Sequence, residues 1–323
     1  MKTLISIAII LVVFISSIQA QTINYEVIKD DPTFRAHGKF EFIYDADFSK
    51  NNNRTIYSIQ AAVNIGERIT VSGEFANAFK KWDNVRENSM NDFSKSYMNI
   101  NGRGTFFFKI TDQKEDTRIT LKKTSSSSTY YTITNETFIV APSRTMTKIG
   151  VTGSAGFYRN NYLDNHKYDS TFQINDQNGV SSSSLNYGTS FSGMRFSGGI
   201  HFSVAKNFVI NARNSSTGEI YGRKAVRNKT EVFAELLYMP TIGFESNLTA
   251  KAENGGGSYT IAQKPDMKNL GWRLLVESYT TGIAGIGLRM EFGARPGIKY
   301  DINSSGKLKN MYLAVGFVVA LSK

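Results

Sequence analysis

The chain has 323 residues, among them 27 glycines, 22 phenylalanines, 16 tyrosines and no cysteine, and its formal net charge is +11. The lack of cysteine excludes a disulfide framework and a thiolate metal site. Basic and acidic residues interleave, so the charge predicts no nucleic-acid-binding stripe; it is more compatible with anionic lipid headgroups or acidic glycans. The many aromatic, Ser, Thr and Asn residues favour strands joined by polar loops over a helical domain.

The first twenty residues have the pattern of a cleaved signal peptide. Lys2 precedes an apolar run from Leu4 to Ile18, and Ala20 supplies a small residue at a plausible cleavage position. The run is shorter than the roughly 20 apolar residues of a comfortable spanning helix, although a retained anchor is the alternative. We expect residues 1–20 to be removed on export, so that the mature chain starts at Gln21.

Residues 21–37 precede the first predicted strand and are too short for a globular plug, so we expect them in the periplasm or inside a lumen. In the N-terminal half, alternation of apolar and polar residues predicts strands near residues 40–47, 57–63, 69–75 and 98–110. A turn is predicted at Gly66 and an external loop at residues 80–96. Thr117–Lys123 and Tyr130–Val140 are two weaker strands around a serine-rich tip.

In the C-terminal half, predicted strands lie at residues 145–159, 194–204, 230–239, 242–252, 269–279, 283–294 and 311–322. Short and long connections alternate between them, as in outer-membrane barrels. With Gly66, the short turns at Lys206–Asn207, Pro240–Thr241 and Thr280–Gly282 are expected to face the periplasm. The long polar segments, at residues 160–193, 254–268 and 295–310, are expected to be external.

The clearest alternation lies in residues 284–293. One set of positions is apolar and the other holds glycine and charge: Ala284, Ile286, Leu288, Met290 and Phe292 against Gly285, Gly287, Arg289, Glu291 and Gly293. Successive side chains of a strand point to opposite faces. A smooth apolar face suits lipid, and a face of glycines and scattered charges suits a crowded or wet lumen.

These patterns predict an all-β fold, a closed antiparallel transmembrane β-barrel formed by residues 38–323. The segments have about the ten residues that a tilted strand needs to cross a bilayer. Backbone groups in lipid must all be paired, so such strands must close on themselves. We expect about fourteen strands, with about twelve as the alternative.

The alternating strands, the N-terminal Ile18-Gln-Ala-Gln-Thr22 and the C-terminal Tyr312–Leu321 segment resemble outer-membrane β-barrel proteins of Bacteroidetes-type bacteria. The resemblance is one of architecture over the mature chain and identifies no subfamily. It implies the cell outer membrane as location, with outer-membrane lipid and the insertion machinery as partners. The final Leu321-Ser322-Lys323 departs from the terminal Phe of many other Gram-negative barrels. Resemblance to TonB-dependent receptors is poor, because no plug or energy-coupling box is recognisable.

Little in the sequence points to catalysis or to a cofactor. His37, His166 and His201 do not form a spaced metal set, and a hydroxyl near His201 is expected by chance on a serine-rich face. Glycine-rich Asn254–Ser258 lacks the Lys and the helix of a phosphate loop. We predict a non-enzymatic protein with no cofactor and no metal.

The informative polar residues are charges that strand parity places on the lumen face. They are Lys148, Arg195, Arg213, Glu231, Glu235, Glu245, Arg273, Glu277, Arg289 and Glu291. Such charges either line a water-filled pore and set ion selectivity, or pair with one another and brace a closed barrel. A barrel of about fourteen strands is too wide for side chains alone to fill.

These charges leave two functions open. The first hypothesis is a porin-like passive channel for small solutes through a polar lumen. The alternative is a non-conducting structural or docking subunit of an outer-membrane secretion or assembly complex. The second hypothesis would add other envelope proteins as partners, and neither involves nucleic acid.

Overall fold

A computed structural model describes residues 23–47, 52–81, 97–130, 132–164, 174–175, 187–244, 247–252, 255–261, 267–281, 285–298 and 311–322. The predicted signal peptide lies outside these ranges. Within them, no helix has the length and apolarity to cross a bilayer.

All regular elements in the described ranges are strands. They are β1 Ile23–Asp30, β2 Ala36–Asp47, β3 Asn52–Ile65, β4 Ile69–Lys81, β5 Tyr97–Ser127, β6 Thr132–Asp164, β7 Ile174–Asn175, β8 Tyr187–Asn214, β9 Ile220–Tyr238, β10 Gly243–Phe244, β11 Asn247–Ala252, β12 Gly255–Ile261, β13 Met267–Lys268, β14 Leu270–Thr280, β15 Gly285–Ala294, β16 Gly297–Ile298 and β17 Met311–Ser322.

Twelve of these strands form one sheet, and ten of the twelve pair in a closed ring. The order is β8-β6-β5-β4-β3-β2-β17-β15-β14-β9, and β9 pairs in turn with β8. The strands β1 and β10 pair with β8 beside this ring. Small separate sheets are formed by β11, β12 and β7 and by β13 and β16. The pairings along β14, β15, β17, β2, β3, β4 and β5 are antiparallel, which confirms the all-β antiparallel fold.

The chain divides into two compact units. The first comprises the described residues of Met1–Pro32, Lys114–Arg144 and Lys206–Val226; the second comprises those of Thr33–Gln113, Thr145–Ala205 and Arg227–Lys323. Four long strands, β5, β6, β8 and β9, therefore contribute residues to both units.

The first unit has its own small apolar core. Its buried members are Ile119, Leu121, Ala141, Phe208, Ile210 and Ala212. Strand β1, in the predicted N-terminal segment, pairs with the end of β8, with Ile23 opposite Asn214. The exposed positions of this unit carry charges, among them the ion pairs Arg118–Glu136 at 2.7 Å and Lys122–Glu219 at 2.8 Å. This unit thus has a buried apolar core, and its exposed positions carry both charged side chains and large apolar ones such as Tyr130 and Phe138.

The second unit reverses that arrangement on its ring of strands. Along β14, Arg273, Leu275 and Glu277 are buried, whereas Trp272 and Leu274 are exposed. Every ring strand exposes a large apolar side chain in this way: Phe40, Ile59, Val71, Phe106, Val151, Phe196, Leu236, Leu274, Leu288 and Phe317. The predicted alternation is therefore present, with its apolar face outermost.

The predicted connections and the strand count agree with the structure only in part. Gly66 forms the predicted turn between β3 and β4 with a φ of +65°. The turn predicted at Lys206–Asn207 is wrong, because β8 runs through it. Thr117–Lys123 is not a separate strand but the end of β5, and the segment predicted as Tyr130–Val140 is the start of β6 at Thr132. The predicted number of about fourteen strands is not confirmed, since the described sheet has twelve.

The predicted turn is absent from β8 because both polar residues at that position are hydrogen-bonded within the structure. Lys206 donates to the hydroxyl of Thr117 at 2.8 Å, and the amide of Asn207 donates to the carbonyl of Asp31 at 3.0 Å. Two adjacent polar residues after an apolar run suggest a turn, but here they remain within a paired strand.

The backbone of a neighbouring strand lies so close to position 199 that only glycine fits there, whereas position 198 has space for a side chain. A Cβ added to Gly199 would overlap the carbonyl oxygen of Ala234 and lie 2.8 Å from Cα of Glu235, whereas one added to Gly198 would meet nothing within 4 Å. We expect Gly199→Ala to destabilise the fold by about 1–3 kcal/mol, because the backbone of β9 must move. Gly198→Ala is the matched control and should melt like the wild type in detergent. Equal melting of both variants would contradict the β8–β9 pairing.

Candidate functional site

The buried face of the second unit brings together charged side chains from distant parts of the chain. Strand registers place opposite charges directly across from each other: Arg273 lies opposite Glu235, and Glu277 opposite Arg289. Directly paired residues have Cβ atoms about 5 Å apart, so each strand pair fixes an acid beside a base. We call the resulting set of buried charges the ion-pair network.

One part of the ion-pair network is centred on Lys39 and Glu231. The Lys39 ammonium contacts a carboxylate oxygen of Glu231 at 3.2 Å and also donates to Glu277. Glu231 further binds the ammonium of Lys229 at 2.9 Å and accepts a hydrogen bond from the Tyr279 hydroxyl at 2.8 Å. Lys39 lies 4.9 Å from the centroid of the Tyr279 ring. Strands β2, β9 and β14 are thereby connected through their side chains.

A second part is centred on the guanidinium of Arg289. It lies 2.7 Å from carboxylate oxygens of both Glu41 and Glu291, 3.3 Å from Glu277 and 3.8 Å from Glu74. One cation on β15 is therefore shared by acids from β2, β4 and β14 and by one on its own strand. A guanidinium suits this position because its planar group presents five donors.

A third part connects β5, β8, β9 and β14. Arg273 donates to a carboxylate oxygen of Glu235 and lies 3.9 Å from Glu291. Arg103 reaches the same Glu235 oxygen at 3.4 Å, and the Ser197 hydroxyl donates to its other oxygen at 3.1 Å. Both oxygens of this carboxylate are thus hydrogen-bonded.

The charges of this network are almost fully removed from solvent. Glu41 has 0% of its surface exposed, Glu277 1%, and Arg273 and Arg289 4% each. An isolated ion in such surroundings is strongly unfavourable, and only its partners and hydrogen bonds offset the loss of hydration. Chemically, the arrangement connects neighbouring strands through their side chains.

The structure places six of the ten predicted lumen charges on this buried face: Arg195, Glu231, Glu235, Arg273, Glu277 and Arg289. Glu291 is half-buried and belongs to the same network. Lys148 is half-buried, and its ammonium donates to the backbone oxygen of Glu67 at 2.7 Å. Glu245 lies outside the described residues.

Arg213 lies elsewhere than the sequence predicted. It is exposed and belongs to the first unit, where its backbone is opposite Asn24. The buried positions of β8 change parity near Phe208 and Val209, which are both buried, so that even-numbered residues such as Ala212 face the core beyond them. A prediction that assumes strict alternation through this change of parity assigns Arg213 to the wrong face.

Five partners in the network were not among the predicted lumen charges. They are Lys39, Glu41, Glu74, Arg103 and Lys229. For β2 a signal was present, because Lys39 and Glu41 alternate with Phe40 and Phe42, the same pattern that identified Arg289.

Both described histidines lie buried beside this network. His201 stacks on Phe233 with ring centroids 3.9 Å apart, and its Nε2 lies 3.4 Å from Glu231. His37 lies with its ring centroid 6.4 Å from that of Tyr279. His166 is outside the described residues. The absence of enzymatic activity stays a prediction.

No protein family and no curated protein sequence matches the chain. Among solved structures, it is similar to the translocator domain of the autotransporter NalP from Neisseria meningitidis, with 7% identity, coverage of 90% of this chain and 89% of that one, and a TM-score of 0.27. A bacterial polysaccharide outer-membrane secretin gives 8% identity, 91% and 100% coverage and a TM-score of 0.24. The CymD monoaromatic hydrocarbon channel gives 8% identity, 90% and 89% coverage and a TM-score of 0.24. These TM-scores are too low to establish a shared fold or function.

The pairing of Arg273 and Arg289 generates a stability prediction. Replacing both with Gln leaves Glu235, Glu277 and Glu41 buried with fewer cations, and removing one partner of a buried pair typically costs about 3–5 kcal/mol. We expect the double variant to melt much earlier than the wild type in detergent. Arg118→Gln is the control, because its ion pair is exposed and such pairs contribute only about 0–1 kcal/mol. Equal melting of the double variant and this control would show that the network does not brace the fold.

Proposed function

We propose that this chain is an integral outer-membrane β-barrel protein whose interior does not let solutes pass through. In this proposal it acts as a structural or docking subunit of the cell envelope. The observation that carries the closed interior is the ion-pair network, whose central acids and bases are buried and bonded to one another. The channel hypothesis is the less favoured of the two functions.

Support for membrane insertion comes from the exposed face of the ring. Each of its ten strands exposes at least one large apolar side chain; Leu236 is 71% exposed and Phe317 66%. Soluble monomers rarely expose contiguous apolar patches larger than a few hundred Å². A ring of paired strands also satisfies the backbone requirement of a bilayer, since each strand has a neighbour on both sides. An apolar face on a closed sheet is the arrangement that lipid stabilises.

Support for a closed interior comes from the distribution of charge. Selectivity charges in a pore face water and stay accessible to it. Here the acids and bases approach within bonding distance across strands, as Lys39 does to Glu231 at 3.2 Å and Arg289 to Glu41 at 2.7 Å. A ring of ten strands is also narrower than the predicted barrel of about fourteen, and side chains can fill a barrel of about eight strands.

The first unit supports a role in contacts with other proteins. It contains a separate apolar core and a charged exterior, with Arg118 and Lys122 on β5 and Glu136 on β6. This unit exposes charged side chains and large apolar ones, among them Tyr130 and Ile133, and through such a surface an envelope complex could bind the chain.

Conductance separates the closed barrel from the channel. We expect purified wild-type protein to give no stable single-channel steps in a planar bilayer, whereas a general porin added to the same bilayer as a control does. Steady conductance steps from the wild type would refute the closed interior. A shift of ion selectivity toward cations in the Arg273→Gln and Arg289→Gln double variant would then support the channel.

Membrane insertion has its own test at Leu288. This residue is 54% exposed on β15, and an Arg at the bilayer midplane costs on the order of 2–4 kcal/mol. We expect Leu288→Arg to lower the amount of folded protein in outer membranes, as measured by heat-modifiable gel mobility, while Leu288→Phe folds normally. Asn211→Arg, an exposed position of the first unit, should be tolerated. If Leu288→Arg and Leu288→Phe reach equal levels, this face does not contact lipid.

A further inference from the structure

A second set of buried charges in the second unit contains more cations than acids. We call it the arginine cluster: Arg54 on β3, Arg195 on β8 and Arg295 after β15, with Asp45 on β2. Asp45 binds Arg54 through one oxygen at 2.7 Å and Arg295 through the other at 2.6 Å. Arg195 instead donates to the amide oxygen of Asn99 at 2.8 Å. Among the described side chains, Asp45 is the carboxylate bonded to two of these guanidinium groups, and Glu291 adjoins them through the Tyr312 hydroxyl, which donates to it.

Tyrosine rings hold these guanidinium groups in place. Arg54 lies 4.5 Å from the centroid of Tyr97, Arg195 lies 4.5 Å from that of Tyr158, and Arg295 lies 3.6 Å from that of Tyr312. The rings of Tyr97 and Tyr158 are in edge contact, with centroids 5.8 Å apart. Cation–π contacts favour each guanidinium without neutralising it, so the excess positive charge of the cluster remains.

Two hydrogen-bond donors of the cluster also lack an acceptor. Arg54 donates through Nε to Asp45 and through Nη1 to Asn160, but its Nη2 is buried without a partner. Arg295 donates through Nη2 to Asp45, and its Nη1 is buried without a partner. Arg54 is only 2% exposed and Arg295 8%. Buried donors without acceptors are unfavourable, and buried cations without counter-charges are more so.

We infer that the arginine cluster binds a small oxyanion, with the free nitrogen atoms of Arg54 and Arg295 as donors and Arg195 contributing charge. A carboxylate or phosphate group would satisfy both requirements, because it brings negative charge and several acceptor oxygens. Guanidinium groups match the geometry of these anions, often with two parallel hydrogen bonds. Asp45 would then orient the two arginines.

Titration of the purified, detergent-folded wild type with sodium phosphate tests this site. Ionic strength is held constant with sodium chloride, and the melting temperature and the heat of binding are measured. A ligand that binds only the folded state raises the melting temperature with its concentration. We expect phosphate, or acetate in a parallel titration, to do so. The anion that acts at the lower concentration identifies phosphate or carboxylate as the preferred group.

Three variants assign the response to the cluster. Arg195→Gln should weaken the binding of the anion by about tenfold or more because a positive charge is lost, and Arg54→Lys should do so because a guanidinium donor is lost. Arg54→Lys keeps the charge beside Asp45, which protects folding. Arg35→Gln is the control, since Arg35 is an exposed arginine of the same unit, and it should bind like the wild type.

The inference fails if neither phosphate nor acetate changes the melting of the wild type, or if sodium chloride alone stabilises it equally. It also fails if Arg195→Gln and Arg54→Lys fold and respond like the control. The wild-type titration does not depend on the variants, so it decides whether the anion binds even if a variant fails to fold.

Discussion

The structure depends on one electrostatic constraint: charges enclosed by a closed sheet must be neutralised by other charges of the same enclosure. Glu41 and Glu277 are almost fully shielded from solvent, so the attraction between acid and base is strong and an unpaired ion is costly. The strand registers satisfy this requirement, because they place Arg273 opposite Glu235 and Glu277 opposite Arg289. Within the arginine cluster the described side chains leave an excess of positive charge, and it is there that we expect an ion from outside the chain.

The burial of side chains differs between the ring strands and the first unit. On the ring, Leu288 and Phe317 are exposed while Arg289 is buried. In the first unit, Ile119 and Leu121 are buried while Lys122 is exposed. The ring strands bury charges and expose apolar side chains, which is the arrangement that lipid stabilises. The first unit instead buries an apolar core.

The assignment of side chains to the two faces of a strand could be predicted from the sequence, because alternation with a period of two is a local property. Leu288 and Arg289 could be assigned to opposite faces from their neighbours alone, and Gly66 could be assigned to a turn. The failures came from non-local contacts. Lys206 and Asn207 look like turn residues until their partners in other segments are known, and Arg213 follows a parity change in β8. The joining of Lys39 to Glu277, 238 residues apart, depends on strand order, which no local pattern reveals.

The ring is completed by the pairing of β17 with β2, in which Leu313 lies opposite Ala46 and Leu321 opposite Gly38. Ion pairs cross the same long interval: Arg289 and Glu41 are 248 residues apart and Arg295 and Asp45 250. Contacts of such separation carry a large loop-closure entropy and form slowly. During biogenesis a chain that has produced β2 must keep its edge unpaired until β17 arrives. Until these two strands pair, the sheet has two open edges, and an unpaired edge is a template for pairing with another chain.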